Sequence, residues 1–510
     1  MDEERHAQLA RAASLVMAAF VLSRVLGLGR EIIIGNQFGT SRELDAYLAA
    51  FRIPDTIFQL IAGGALGSAF IPAFTSYLAR DREEEAWRLA SSIMNIVLAV
   101  LTACAVFAAL LAPWLVRHVV VPGFSPPQQS LTAHLMRYML IAPVVFGLSG
   151  VVMGILNSYR HFLLPALAPA VYNLSIIASA ALLAPSLGVY GLVIGVVAGS
   201  FLHLAIQLPQ LVRQGLAYQL VIDVHDAGVR EVGRLMLPRM LGLATVQINF
   251  LVTTFLASRL AEGSLAALNY AWMLMLLPQG VFGMGIATAA FPTFSDLAAR
   301  GRKDDLRATL SETLGLILFL SIPSAVALIV LGEPLTQLLL QRGRFDPSST
   351  QSVAWALQFY ALGLVAHSAL EVVTRAFYSL HDTRTPVAIG AGAMALNIIL
   401  SLLLVGPLLH GGLALANSLA TILETTVLLV LIRGRLGHIE GGVLLRSAAK
   451  TTLAAAVMGL VVLLFSAVSQ GSHIVLRVGG AVLLGAASFL VLSLALRSHE
   501  LRALRLIIRR

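Results

Sequence analysis

The amino-acid sequence predicts an all-α polytopic membrane protein. It should have about fourteen transmembrane helices, in two parallel six-helix lobes around a central cavity, plus two C-terminal helices. Three observations predict this. Apolar residues make up 58% of the 510 and charged residues 12%, against roughly 45–50% and about 25% in soluble domains. The apolar residues form long continuous runs, not the alternating ten-residue strands of an outer-membrane barrel. Two patterns also recur about 220 residues apart.

The runs lie near 11–34, 44–78, 89–117, 131–157, 163–184, 188–212, 231–258, 265–298, 308–331, 351–378, 386–406, 410–432, 447–467 and 474–496. Several exceed the roughly 20 residues that cross a bilayer, so those helices are expected to tilt, bend or project. Breakers inside them (Pro54, Gly63, Gly64, Gly67, Pro72, Pro238, Pro278, Pro323) favour bends. Span 1 follows a mixed acidic and basic N-terminus with no small-residue cleavage site, and reads as a retained helix. Span 3 holds the one cysteine, Cys104, which excludes an intramolecular disulfide and a Cys-based metal site.

Orientation follows from Lys and Arg in the connections. One alternate set of connections, with both termini, carries about 23 of the 35, including Arg80, Arg82, Arg88, Arg160, Arg300, Arg302, Lys303 and Arg307. The opposite set carries about six: Arg42, Arg117, Arg259, Arg342, Arg344 and Arg477. Both termini are therefore expected in the cytoplasm. The net charge of +9 largely specifies topology, so no nucleic-acid partner is implied. The tail from 499 to 510 sets Leu501, Leu504 and Ile508 on one face among arginines, which suits the inner leaflet.

The recurrent patterns are FIPAFTSYLARDREEEAWR (70–88) with FPTFSDLAARGRKDDLR (291–307), and LNSYRHFLLP (156–165) with FYSLHDTRTP (377–386). They fall after spans 2 and 8, and after spans 4 and 10. An offset of six spans keeps the orientation, hence parallel lobes. The predicted organisation is 1–222 (spans 1–6), 223–436 (spans 7–12) and 437–510 (two extra spans and the basic tail). Substrate sites in repeat transporters lie near the midplane between repeats.

Charges at membrane depth are costly and usually face a cavity or a partner. Arg24 sits well inside span 1, and Arg30 and Glu31 near its far end. Arg52 lies in span 2 and Arg239 early in span 7, just after Pro238. These are candidate anion-holding cations, with snorkelling to the interface as the competing reading. Asp45 stands near a helix start, where the dipole favours a carboxylate; a gating or ion-pair role competes. Glu371 and Arg375 are four apart and fit a structural pair. Glu424 is a lone acid in span 12, and with Asn397 is a candidate for proton or ion coupling. Gln59 and Asn249 are candidate cavity polars, although such residues also serve as interhelical glue. No H-E-x-x-H, paired-carboxylate loop or large aqueous domain appears, so an enzyme is not expected.

SRVLGLGRE (23–31), DAYLAAFRIPD (45–55), GALGSAFIPAF (64–74), LNSYRHFLLPALAP (156–169), QRGRFDPSST (341–350) and RAFYSLHDTRTPV (375–387) resemble the MurJ/MviN family across spans 1–12. The resemblance implies a two-lobed exporter of the bacterial cytoplasmic membrane. It implies flipping of lipid II, the undecaprenyl-pyrophosphate-linked cell-wall precursor, by alternating access without nucleotide hydrolysis. Arginine suits the pyrophosphate, being permanently charged and forked. Arg24, Arg30, Glu31 and Asp45 match family positions. Further family arginines are replaced: span 2 has Phe58 and Gln59 there, and span 8 has Met273. A family glutamate is replaced by Gly63, and acids tied to sodium in some relatives by Thr253 and Ser401. The resemblance therefore does not carry sodium coupling over. Coupling to the membrane potential or another cation stays open, with no cofactor or metal. Arg24 and Arg30 with Arg52 or Arg239 are the expected cationic site. The expected partners are lipid II and membrane lipids, and the chain is expected to act as a monomer. The alternatives are export of another polyprenyl-linked oligosaccharide, or a non-transporting paralogue.

Overall fold

The computed structural model describes residues 2–63, 65–437, 441–498 and 500–501. Of the basic tail expected over 499–510, only 500–501 lie within them. The elements are α1 (Asp2–Phe38), α2 (Arg42–Ile61), α3 (Ala65–Leu78), α4 (Glu83–Leu110), α5 (Pro126–Ser158), α6 (Leu163–Leu182), α7 (Val189–Arg213) and α8 (Ala227–Ala257). They continue with α9 (Ser264–Ala299), α10 (Lys303–Leu340), α11 (Pro347–Ser379), α12 (Arg384–Leu408), α13 (His410–Leu436), α14 (Gly441–Val468) and α15 (Ile474–Ala495). Among the described residues no strand occurs.

Each expected run falls on a helix, and the second is α2 plus α3, broken beside Gly63. By length and composition eleven helices can cross a membrane, or twelve if α8, bent by 46° after Leu237, counts as one. The expected fourteen is reached only with α1 and the α2–α3 pair. Those carry the charges (Arg24, Arg30 and Glu31; Asp45, Arg52 and Asp55) that set them apart from plain lipid-facing spans.

The chain forms two compact units, 1–263 with 342–344, and 264–341 with 345–510. The division falls after α8, not at 222/223. Val229 and Val232 of α8 bury into a core with Phe70 and Phe74 of α3, Trp87 of α4 and Val152 of α5. The segment before α8 is tied down too. Ser91 and Ser92 of α4 accept from the backbone N–H groups of Gln219 and Asp223, and Asn95 Nδ2 donates to the carbonyls of Gln219 and Val221.

The second unit has one core among α9, α10, α11 and α13, around Phe294, Leu310, Val372 and Leu428. Another joins α10 to α14 and α15 around Phe319, Met458 and Phe489. Outward faces are apolar: Phe107, Leu110 and Leu483 stand 66%, 73% and 73% exposed. Such exposure suits lipid as the surrounding solvent.

The recurrent sequence patterns are a recurrent helix ending. Asp81 and Gly301 take left-handed φ of 56° and 68°; Arg160 and His381 take 61° and 58°. After each, the next N–H returns to the helix: Arg82 to Tyr77 O (3.1 Å), Arg302 to Leu297 O (3.0 Å), His161 to Leu156 O (2.8 Å) and Asp382 to Phe377 O (3.0 Å). That six-to-one bond is the Schellman C-cap. The first pair then starts the next helix alike, with Arg82 bonded to Glu85 and Arg302 to Asp305.

Candidate functional site: paired cations in the first unit

Four helices of the first unit supply the site. Ser41 caps α2, its Oγ accepting from Leu44 N at 3.3 Å. Asp226 caps α8, its Oδ1 accepting from Gly228 N and Val229 N. These caps satisfy orphan amides and fix where α2 and α8 begin.

Arg30 lies in the seam of α1 and α6. Its Nη2 pairs with Glu31 Oε1 at 2.6 Å, and its Nη1 donates to Asn173 Oδ1 at 3.1 Å. Asn173 Nδ2 donates in turn to Ser23 O at 3.2 Å. Neighbouring residues on a helix do not ordinarily face each other, so this pair exists because both side chains fold into one interhelical seam. Only 27% and 14% of the two side chains is exposed. Tyr47 and Tyr172 lie within electrostatic range of Arg30.

Arg52 joins α2 to α8. Its Nε donates to Thr254 Oγ1 at 2.8 Å, and its guanidinium lies 5.3 Å from the centre of the Phe250 ring. Asp55, one turn on, accepts from Gln59 Nε2 at 3.4 Å and lies within range of both Arg52 and Tyr172. Tyr172 thus lies within range of Arg30, Glu31 and Asp55, and Asp55 within range of Arg52. A guanidinium held by a carboxylate and an amide can exchange those partners for phosphate oxygens of matching geometry.

Arg24 is exposed on α1. Six residues from Arg30, it is turned about 120° round the axis, so the two do not lie on one stripe. Arg239 is exposed on α8, at the bend fifteen residues before Thr254. Arg52, by contrast, has Asp55 within range, which in turn lies near Tyr172. Asn249 is half-buried on α8, and its carbonyl accepts from Thr253 Oγ1 at 2.9 Å.

Asp45 is buried, 2% exposed, and its Oδ2 accepts from the Gly263 N–H at 2.7 Å. It fastens the turn after α8. The position of a family arginine in span 2 is filled by aromatic packing. Phe58 stands 5.5 Å from Phe146, which packs edge-on to Tyr172 and His203. His203 is no isolated imidazole, since its Nδ1 meets Ser149 Oγ at 2.7 Å.

In the second unit, Met273 is half-buried beside Trp272, whose ring packs on Tyr360 and His367. His367 Nε2 bonds Asn417 Oδ1 at 3.0 Å. Asn397 is buried, its Oδ1 accepting from Ser401 Oγ at 3.3 Å. Glu424 is half-buried against Gly390 of α12, whose added Cβ would lie 3.1 Å from Oε1. Glu371 and Arg375 pair as their spacing implies. Sequence reasoning missed Asp55, Tyr172 and Thr254 as parts of the site. Asp55 stands in the FRIPD segment beside Arg52, and that adjacency was its one available signal.

Eleven or twelve helices long and apolar enough to cross a membrane define a polytopic helical membrane protein. A family model described as Lipid II flippase MurJ matches residues 34–479, and the chain belongs to that family. It is 31% identical over 434 residues to the Lipid II flippase MurJ of Burkholderia cenocepacia, covering 84% of each chain. It is 30% identical over 461 residues to a probable lipid II flippase MurJ of Bdellovibrio bacteriovorus, covering 89% and 88%. A solved structure of lipid II flippase MurJ in an inward closed conformation matches with a TM-score of 0.82 and 25% identity, covering 95% of this chain and 99% of that one. An inward-facing multidrug resistance MATE family transporter of the MOP superfamily matches at 0.72 and 14% identity, covering 83% and 98%, and shares the fold.

Proposed function

We propose that this protein flips lipid II from the cytoplasmic to the outer leaflet of the bacterial inner membrane by alternating access. Arg30 and Arg52 hold the pyrophosphate. One observation carries the residue assignment: Arg30 pairs with Glu31, Arg52 has Asp55 within range, and Tyr172 lies within range of both carboxylates. At rest Glu31 and Asp55 balance the cations, so the empty site carries little uncompensated charge. An arriving pyrophosphate offers more oxygens and more charge to the same forks, and displaces the carboxylates. The exchange reverses on release, so the cargo need not leave bare cations behind. Family membership and the relatives' names support the cargo.

The excess of Lys and Arg in alternate connections supports both termini in the cytoplasm. With that orientation the interior-negative potential favours outward movement of an anion, by about 2.3 kcal/mol per charge per 100 mV. The membrane potential is thus a sufficient drive in kind, with no nucleotide site required.

The test is rescue of a bacterium depleted of its own lipid II flippase, with lipid II on the outer surface as the readout. Rescue by the wild type that is lost with Arg30→Ala or Arg52→Ala supports the reading. Outer-surface lipid II absent despite full membrane expression of the wild type overturns it in favour of another polyprenyl-linked cargo or a non-transporting role. Rescue retained by both variants removes the residue assignment.

A further inference from the structure

A charged cavity lies wholly within the second unit. It measures about 450 Å³, within the range of small-molecule sites. It opens where α10 and α14 end and α11 and α15 begin. Its polar and aromatic lining includes Glu333, Gln351, Trp355, Gln358, Ser466 and Arg477.

Two observations mark it as built for a ligand. Arg477 Nε and Ser466 Oγ are buried without a hydrogen-bond partner, and such orphaned atoms call for an explanation. Glu333 and Arg477 line one cavity, yet among the described residues neither belongs to an ion pair. The surroundings are apolar and outward-facing: Leu463, Leu464, Val468, Leu476 and Leu483 are all exposed. A cavity holding both signs of charge on a lipid-facing wall suits a ligand that carries both signs and arrives from the bilayer.

We propose that this cavity binds the head group of a zwitterionic aminophospholipid of the phosphatidylethanolamine class. The phosphate takes the Arg477 guanidinium and the Ser466 hydroxyl. Arg477 lies in the first turn of α15, where the helix dipole adds positive potential. The ammonium takes the Glu333 carboxylate and the Trp355 face, which favours cations. Gln351 and Gln358 complete its hydrogen bonds. A purely anionic lipid would set unpaired negative charge beside Glu333. A choline head group would lose the N–H donors that Glu333 and the glutamines accept. The inference does not depend on the flipping reading.

The test is native mass spectrometry of the purified full chain, offered equal amounts of phosphatidylethanolamine, phosphatidylglycerol and phosphatidylcholine. The expected result is at least tenfold preferential retention of phosphatidylethanolamine. Glu333→Gln and Arg477→Gln should each reduce it to the phosphatidylcholine level. The wild-type comparison needs no variant, and Ser466→Ala is a milder probe should Arg477→Gln fold poorly. Retention of phosphatidylglycerol equal to or above phosphatidylethanolamine, or an unchanged preference in Glu333→Gln, overturns the zwitterion assignment. Equal retention of all three overturns the site. Displacement of the bound lipid by added lipid II would assign the cavity to the cargo and also overturn the proposal.

Discussion

Arg52 Nε and Thr254 Oγ1, 202 residues apart, meet at 2.8 Å and join α2 to α8. The bond explains why α8 packs with the helices before it. The Thr254 hydroxyl also donates to Phe250 O at 2.9 Å, so its proton is committed and its lone pair is left for Arg52. Thr254→Val keeps the shape and removes the acceptor. A charged donor losing one acceptor costs about 1 kcal/mol or more, so thermal stability in detergent should fall, and Thr254→Ser should restore it. Equal stability of the Val and Ser variants would show that the bond contributes nothing.

Arg30 should tolerate neither loss nor simplification. Arg30→Ala leaves Glu31 half-buried without its cation, which destabilises independently of transport. The informative comparison therefore adds Arg30→Ala with Glu31→Gln, where no charge is stranded. That double variant should reach the membrane at near wild-type levels and still lose at least tenfold in flipping. Arg30→Lys keeps charge but not the fork, and should fall between. Wild-type flipping by the double variant would reduce Arg30 to a structural role.

The helices were legible in the sequence because their signal is local. Continuous apolar runs mark the spans, and the charged turns at 79–82 and 299–302 mark the repeated ending. That the repeat is a Schellman cap was not legible, since three of its four left-handed positions are Asp81, Arg160 and His381 rather than glycine. The site was half legible. A membrane-depth arginine announces itself by cost, so Arg30 and Arg52 stood out. Their partners did not: Asn173 is 143 residues from Arg30, and pairing at that separation is set by packing. The boundary at 222 follows from the six-span offset of the repeats, whereas Val229, Val232 and Arg52 draw α8 to the earlier helices.

Asp382 gives the fold of the second unit a pH dependence outside the membrane. It sits in the turn between α11 and α12. The Thr385 hydroxyl donates to its Oδ2 at 2.6 Å and the Thr385 N–H to its Oδ1 at 3.0 Å, and Arg435 pairs with it. These, the hydroxyl foremost, hold its carboxyl below the ordinary aspartate value. A depressed folded-state pKa stabilises above the unfolded value, near 3.9. That stability is lost as pH falls through the lower folded value. Melting of the wild type should therefore drop more steeply than that of Asp382→Asn below about pH 4. Parallel curves for the two would exclude the effect.

Asp45 separates a latch from a charge. Its Oδ2 accepts from Gly263 N at 2.7 Å inside the first unit. Gly263 has φ of +85°, and a Cβ there would collide with the Thr40 carbonyl. An amide oxygen accepts the same bond as a carboxylate oxygen, so Asp45→Asn should fold and flip near wild type. Asp45→Ala removes the acceptor and leaves a buried N–H unpaired, costing about 1–3 kcal/mol. Gly263→Ala adds strain and a clash, and should lower the melting temperature at least as much. Membrane yield and melting of the three variants, measured beside flipping, distinguish the two roles. A stable, well-expressed Asp45→Asn that no longer flips would show that the negative charge itself is needed, and the latch account would fail.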